Sequence, residues 1–264
     1  MIDFEQKPSY DVADLVEIVR ILRAPGGCPW DREQDHHSIR RDLLEEAYEV
    51  AEAIDEESPE HLREELGDLL LQVVMHSRME EEAGRANLSD VADGICKKLI
   101  YRHPHVFGDV TVSGSGQVLE NWEELKKKEK HQKTASDSVD AVARSLPGLW
   151  RAEKIQKKAA KVGFDWDSVD GAMAKLREET DELQAAIRDG SNVEEELGDL
   201  LFAAVNVARF VKTDPEGAMT AACDKFARRF RAVEEAAQAQ GRELSSMTLA
   251  EMDALWDAVK QREA

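Results

Sequence analysis

Apolar residues recur along the chain mainly at the three- and four-residue spacing that places them on one face of an α-helix. Within the string EELGDLL, for example, Leu66, Leu69 and Leu70 lie at i, i+3 and i+4. Runs of β-branched residues are few, and most of the 7 prolines lie between the periodic stretches. The pattern therefore predicts a chain that is almost entirely helical.

Turn residues divide this pattern into separate helices. The first apolar stripe stops at the turn APGGCPWD, which contains both proline and glycine. Ser58 is a suitable N-cap for a later helix, with Pro59 at its first position. Helices are predicted over residues 38–55, 59–82 and 88–101 and over the segment VLENWEELKKKEK.

The string EELGDLL occurs twice, at residues 64–70 and again at residues 195–201. The string GFDW at residues 163–166 likewise corresponds to GCPW at residues 27–30, and five such features recur in the same order. Repetition in order favours a tandem duplication of one helical-bundle domain. The predicted organisation is a first domain over residues 1–130, a polar linker over residues 131–145 and a second domain over residues 146–264.

The formal charge of −20 on 264 residues limits the classes of partner. Nucleic acid polymers and anionic membrane surfaces are bound by basic patches, so neither is expected as a partner. The chain has no apolar run long enough to span a membrane and no apolar leader, and its three cysteines fit a reducing compartment. We therefore expect a soluble, cytoplasmic protein.

Four acidic residues in the second half have the spacing of a metal site. Glu179 and Glu182 lie at i, i+3 on one predicted helix, and Glu196 and Asp199 have the same spacing on the next. Helices joined by a short turn pack antiparallel, so the two pairs can face each other. Four carboxylates brought together repel strongly unless cations lie among them, and Mg2+ or Mn2+ prefers such oxygen ligands.

The first half repeats the acidic set as Glu46, Glu49, Glu65 and Asp68, which predicts a second metal site. For a single acidic motif, a solvated helix face is the ordinary explanation, but repetition of the whole set favours a site. A ferritin-like di-iron centre is the nearest chemical alternative. It requires pairs of Glu-x-x-His motifs, which these helices lack, and the histidines at 61, 76 and 131 are expected to sit apart.

The motifs GCPWD, EEAYE, EELGDLL, KKLIYRHPHVF, NWEELK and KIQKKAAKVGFDW resemble the MazG family of two-domain nucleoside triphosphate (NTP) pyrophosphohydrolases over essentially the whole chain. The resemblance implies an all-α NTP pyrophosphatase fold and a homodimer. It also implies Mg2+-dependent hydrolysis of NTP or dNTP, with broad base specificity, to a monophosphate and pyrophosphate. The metal ligands and catalytic residues that it implies are Glu179, Glu182, Glu196 and Asp199.

The resemblance also assigns residues to the nucleotide. Lys225 and Arg229 lie at i, i+4, so both can reach phosphate oxygens, and Trp256 offers a ring for base stacking. Without the resemblance, the two cations would be ordinary surface residues and the tryptophan ordinary packing. Glu178 is placed beside the metal ligands rather than among them, and Lys126 of the NWEELK motif also joins the nucleotide-binding set.

Cations distinguish the two halves near the acidic motifs. Lys175 and Arg177 precede the second acidic pair, where the first half has Asp42 and Leu44. We therefore predict that the second half is catalytic and that Lys175 and Arg177 contact the triphosphate. In the first half, Arg40 and Arg41 can partly compensate for the missing cations. The first-half counterparts of the nucleotide-binding residues are Lys98, Arg102 and Trp122. Asn192 stands where the resemblance implies a basic residue.

A second function class stays open at the sequence level. The chain could be a regulatory protein-interaction and dimerisation module with weak or vestigial nucleotide binding. Release of pyrophosphate from added NTP, with and without EDTA, distinguishes this alternative from the enzyme.

Overall fold

The computed structural model describes residues 4–129 and 134–263, and all regular elements in these ranges are helical. The prediction of an all-α protein is confirmed. The chain divides into two compact units, residues 1–126 and residues 127–264. Within the described ranges, none of the helices is long and apolar enough to cross a bilayer.

The first unit is built around one long helix. Its helices are α1 (Val12–Arg23), α2 (Pro29–Glu33), α3 (Arg40–Asp55), α4 (Pro59–Glu82), α5 (Leu88–Arg102) and α6 (Pro104–Phe107), followed by α7 (Ser115–Glu129), which extends past the boundary between the units. Helix α4 packs against α1, α3 and α5. Its start agrees with the sequence, since Ser58 caps the helix by accepting a hydrogen bond from the backbone N–H of His61.

The second unit is built around a helical hairpin. Its helices are α8 (Ala135–Asp140), α9 (Gly148–Ala160), α10 (Val169–Asp189), α11 (Val193–Phe210), α12 (Pro215–Ala239) and α13 (Leu249–Glu263). Helix α10 ends at Gly190, whose φ of 69° is the left-handed conformation that lets the chain reverse into α11. Helices α10 and α11 pack along each other, and α9 covers α11.

The segment predicted as a polar linker, residues 131–145, has regular structure in its described part. Helix α8 begins after Thr134, which forms a capping box with Asp137, and both Ser138 and Val142 are buried. Serine, threonine and aspartate residues are typical of linkers and also cap helices, so this composition is compatible with a short helix in the segment. Residues 130–133, including His131, lie outside the described ranges.

Candidate metal centre

Three of the four acidic residues predicted in the second unit come together across the α10–α11 hairpin. One carboxylate oxygen from each of Glu179, Glu196 and Asp199 lies within 4.8 Å of the other two. Oxygen ligands at about 2.1 Å from a Mg2+ ion lie no more than about 4.2 Å apart, so these oxygens need only small movements to share an ion. We call these residues the second triad. Glu179 is 5% exposed, so its charge is held largely away from water.

Glu182, the fourth predicted ligand, lies beside the second triad. Its carboxyl group is within hydrogen-bonding range of Glu179. Although Glu182 is on an exposed position of α10, partial desolvation and the neighbouring Glu179 raise the pKa of its carboxyl group. A cation bound beside these carboxylates would relieve their repulsion.

Lys175 supplies positive charge to the second triad. Its ammonium group lies 2.7 Å from Glu179 and 2.8 Å from Glu178, one helical turn along α10. Hydrogen bonds to Glu178 and then to Glu179 raise the pKa of Lys175, so it stays protonated. Arg177 is exposed on the same helix. In the structure, then, Lys175 neutralises a carboxylate at the place where we predicted a phosphate contact.

Asn192, which departs from the family pattern, touches the second triad. Its side-chain amide donates a hydrogen bond of 3.1 Å to Glu196. This contact orients one carboxylate oxygen while leaving the other available. The i, i+4 spacing of Asn192 and Glu196 is a sequence signal for this contact, because side chains four residues apart meet on a helix face.

The other predicted nucleotide-binding residues of this unit form a separate group on α12 and α13. Arg229 is ion-paired with Glu263 at 2.7 Å, and the ring of Trp256 lies 5.2 Å from that of Phe226. Lys225 is exposed on α12. These contacts join the two helices to each other, and the structure places no described contact between this group and the second triad.

The first unit repeats the arrangement with Glu46, Glu49 and Glu65, which we call the first triad. One oxygen from each lies within 4.8 Å of the others. Burial raises the pKa of Glu46, and the charges of Asp68, Glu49 and Glu65 raise it further. Asp68 is thus near the triad without being one of its three members, as Glu182 is in the second unit.

A histidine near the first triad was missed at the sequence level. The imidazole of His61 lies 3.1 Å from Glu65 and 2.9 Å from Glu56. The hydrogen bond to Glu56, followed by the charges of Glu56 and Glu65, raises the pKa of His61. The expectation that the histidines at 61 and 76 sit apart does not hold for His61, which contacts Glu65 of the first triad, whereas His76 contacts a different histidine, His36. The contact between His76 on α4 and His36 in the loop before α3 depends on tertiary packing, which spacing along the sequence does not show.

Cations cover the tryptophan of the first unit. Arg102 lies 5.3 Å and Lys126 lies 5.1 Å from the centre of the Trp122 ring. Such cation–π contacts stabilise the ring and use surface that base stacking would need. Arg102 is buried, whereas Lys98, its neighbour on α5, is exposed.

Comparison with known families finds the same duplication. A family model described as the MazG nucleotide pyrophosphohydrolase domain matches the chain twice, over residues 34–107 and residues 168–233. The first match contains the whole of the first triad and the second match contains the whole of the second triad. Both halves therefore carry the part of the domain in which the acidic residues lie.

Several curated proteins are similar to the chain over most of its length. The nucleoside triphosphate pyrophosphohydrolase of Escherichia coli (strain K12) is 46% identical over 254 residues, which cover 94% of this chain and 97% of the relative. The nucleoside triphosphate pyrophosphohydrolase/pyrophosphatase MazG of Thermotoga maritima is 42% identical over 247 residues, with 94% of each chain covered. The protein YabN of Bacillus subtilis is 49% identical over 263 residues, but these cover only 54% of that longer protein.

Proposed function

Because the chain belongs to the MazG nucleotide pyrophosphohydrolase family, we propose that it hydrolyses nucleoside triphosphates, ribo- and deoxyribonucleotides alike, to a monophosphate and pyrophosphate. The observation that carries this proposal is the second triad, Glu179, Glu196 and Asp199, held across the α10–α11 hairpin. Three convergent carboxylates form a site for a hard divalent cation, and such a cation is what a triphosphate needs in order to bind an acidic protein.

The second triad would hold Mg2+, or Mn2+ in its place, with Glu182 completing the ligand set. When bound, the ion would neutralise phosphate charge and lower the pKa of a water molecule. Each carboxylate has two oxygens, so a ligand still has one oxygen free to accept a hydrogen bond from the attacking water. The hydrogen bond from Asn192 would hold Glu196 in place for this task.

Cations of the chain would bind the triphosphate. Lys175 is held by Glu178 and Glu179, so arrival of a metal at Glu179 would release it towards a phosphate oxygen. The other cations of the second unit that we propose for the nucleotide are Arg177, Lys225 and Arg229. The first unit lacks the cation that corresponds to Lys175, and we therefore assign catalysis to the second domain, residues 146–264.

We also propose that the functional form is a homodimer. Helix α5 exposes the apolar residues Val91, Ile95 and Leu99 at i, i+4 and i+8, each more than two-fifths exposed. Helix α12 exposes a similar stripe that includes Phe226 and Phe230. Stripes of this length on helices are typical of interfaces between protein chains.

The proposed reaction is tested by identifying its products and the phosphorus that is attacked. The purified chain is incubated with each NTP and dNTP in H2(18)O, with Mg2+ or with EDTA. We expect monophosphate and pyrophosphate in equal amounts, with 18O only in the monophosphate and no products in EDTA. Diphosphate and orthophosphate as the first products would contradict the proposal, and 18O in the pyrophosphate would contradict attack at the α-phosphorus.

A further inference from the structure

Basic residues are concentrated on α9, although the chain as a whole carries a formal charge of −20. Residues 151–161, RAEKIQKKAAK, contain five basic residues and one acidic residue. Lys154 and Lys157 lie at i, i+3 and therefore on the same face of this helix. A local excess of positive charge on a strongly acidic chain attracts anions to one place on its surface.

The two lysines line a cleft between α9 and the C-terminal end of α11, which we call the basic cleft. Its volume is about 550 Å³, within the range of small-molecule sites in proteins. Four of its lining residues are basic, Lys154, Lys157, Arg209 and Lys212, and two are acidic, Glu153 and Asp214. Because Arg209 lies ten residues after Asp199, it is about 15 Å from the second triad along the axis of α11.

The two acidic residues that line the basic cleft are already bound to donors. Glu153 is paired with the ammonium group of Lys157 at 2.7 Å. Asp214 accepts a hydrogen bond of 2.8 Å from the indole N–H of Trp150. These carboxylates therefore do not occupy the remaining cations of the cleft.

Two lysines of the basic cleft keep their donors available. Arg209 is paired with Asp165 of the segment 163–166. By contrast, Lys154 and Lys212 have no partner among residues 4–129 and 134–263, and both are exposed. They come from different helix regions and line the same cleft, so one anion can be reached from both sides.

The backbone at Lys212 has a conformation that a side chain disfavours. Its φ of 57° lies in the left-handed region, which glycine adopts more easily. Backbone hydrogen bonds close α11 here in the same pattern that closes α4 at Gly84 and α12 at Gly241. A lysine where two other helices of this chain use glycine indicates a role for its side chain.

The first unit shows that the fold does not require this charge. Alignment of GCPW with GFDW places Ile18 and Ile21 opposite the two lysines of α9. Alignment of the two copies of EELGDLL places Glu81 opposite Lys212. The same surface is thus apolar and acidic in one unit and basic in the other.

We propose that the basic cleft binds a diphosphate group without a metal ion, either as free pyrophosphate or as part of a nucleoside diphosphate. Lys154 and Lys212 would each donate hydrogen bonds to phosphate oxygens, which an ammonium group binds as a point charge with three donors. Lys157 and Arg209 would add positive charge. The second triad is acidic and needs a cation to hold phosphate, so the two sites have opposite electrostatic requirements.

The experiment measures binding of inorganic pyrophosphate to the full chain by isothermal titration calorimetry, in EDTA and at low salt. Without a divalent cation the second triad repels phosphate, so binding reports the basic cleft. We expect Lys212→Gly and Lys154→Ile each to weaken binding roughly 3- to 10-fold, the loss of one exposed charge-assisted contact. Lys97→Ile is the matched control, because it removes an exposed lysine from α5 and changes the net charge equally. It should bind as wild type.

The Lys212→Gly variant separates binding from folding. Glycine adopts a φ of 57° without strain, so the melting temperature should not fall while the affinity does. A lower melting temperature with unchanged affinity would mean that Lys212 only stabilises the end of α11, and it would overturn the site.

Three further results would also overturn the basic cleft as a diphosphate site. These are a lack of binding of both pyrophosphate and ADP in EDTA, equal weakening by Lys97→Ile, and binding of the dicarboxylate succinate as tightly as pyrophosphate. Titration with ADP distinguishes the two sources of the group. Tighter binding of ADP than of pyrophosphate supports a nucleotide ligand, and weaker binding supports free pyrophosphate.

Discussion

At the scale of single residues, Glu179 shows how the second triad tolerates a buried negative charge. Lys175 is bound to it at 2.7 Å, but the lysine side chain is 36% exposed and also bound to Glu178. Water screens such a pair, so its contribution to folding stability is small. The ion pair matters for binding, because a divalent cation can replace Lys175 at Glu179. The lysine would then be free to bind a phosphate group.

This arrangement predicts the effect of removing one charge from the second triad. Glu179→Gln keeps the shape of the side chain, and it should lower pyrophosphate release at saturating Mg2+ by at least about 100-fold, at the upper end of the losses seen when metal surroundings are altered. The melting temperature should not fall, because one of several repelling carboxylates is gone.

Glu178→Gln is the matched control for that prediction. It removes the other carboxylate bound to Lys175 and leaves the second triad intact, so its loss should stay below about 10-fold. Activity of the Glu179→Gln variant within threefold of wild type would remove Glu179 from the site.

The surroundings of His76 predict that the folding stability of the first unit falls in acid. Its Nδ1 lies 2.7 Å from Nδ1 of His36, whose Nε2 contacts Glu80 at 2.8 Å. Only one of the facing nitrogens can carry a proton in that contact. Burial, and then the charge of His36, lower the pKa of His76. Because the unfolded chain binds this proton more readily, the stability contributed by His76 is present above about pH 6.5 and is lost as the pH falls.

The corresponding measurement is thermal unfolding of the full chain at pH 7.5 and pH 5.5. The melting temperature of the wild type should fall on acidification. That of His76→Gln should fall less, because glutamine does not titrate. His37→Gln replaces an exposed histidine next to His36, in the loop before α3, and should retain the wild-type loss. An equal loss in the His76 and His37 variants would show that the half-buried His76 is not responsible.

At the scale of helices, periodicity and end signals predict where helices lie and which residues face each other across a short turn, but not how closely more distant helices approach. The sequence predicts α4 from Ser58 and Pro59, and the structure has the same start. The facing positions of Glu179, Glu196 and Asp199 also follow from i, i+3 spacing and a short turn. The hydrogen bond from Gln156 of α9 to the backbone carbonyl of Phe202 of α11 could not be predicted, because it depends on how closely these two helices approach.

Comparison of the two hairpins gives a prediction at this scale. The double variant Glu46→Gln with Glu49→Gln should keep pyrophosphate release within about threefold of wild type, whereas Glu179→Gln with Glu182→Gln should abolish it. The physical reason is that α10 places Lys175 next to its carboxylates, while α3 has Asp42 at the corresponding position. Steady-state rates at saturating NTP and Mg2+ test this. Equal losses would mean that both hairpins take part in catalysis.

At the scale of the whole molecule, we expect the clustered acidic charge to make the folding stability depend on divalent cations. An ion that binds the folded chain and not the unfolded chain stabilises it by about 2.7 kcal/mol at 100 times its dissociation constant. Mg2+ should therefore raise the melting temperature of the metal-free chain, and NaCl of equal ionic strength should raise it less. The shift should be smaller in Glu179→Gln. The same shift with NaCl as with Mg2+ would indicate general screening instead of a site.

The net charge also predicts how association of two copies responds to salt. Each copy carries −20, so two copies repel, and this repulsion is screened within about 8 Å at physiological ionic strength. Contact between apolar faces is not weakened by salt in this way. If the exposed stripe on α5 forms the dimer, raising NaCl from 50 to 500 mM should strengthen association.

Sedimentation equilibrium at several salt concentrations measures that dependence. Ile95→Glu combined with Leu99→Glu should shift the chain to a monomer, because four buried carboxylates in a twofold interface would lack partners. Leu249→Glu is the matched control, since Leu249 is 72% exposed and lies outside the stripe on α5. A dimer that weakens with salt would indicate an interface held by ion pairs. A dimer that persists in the Ile95 and Leu99 variant would place the interface elsewhere, with the α12 stripe as the next surface to change.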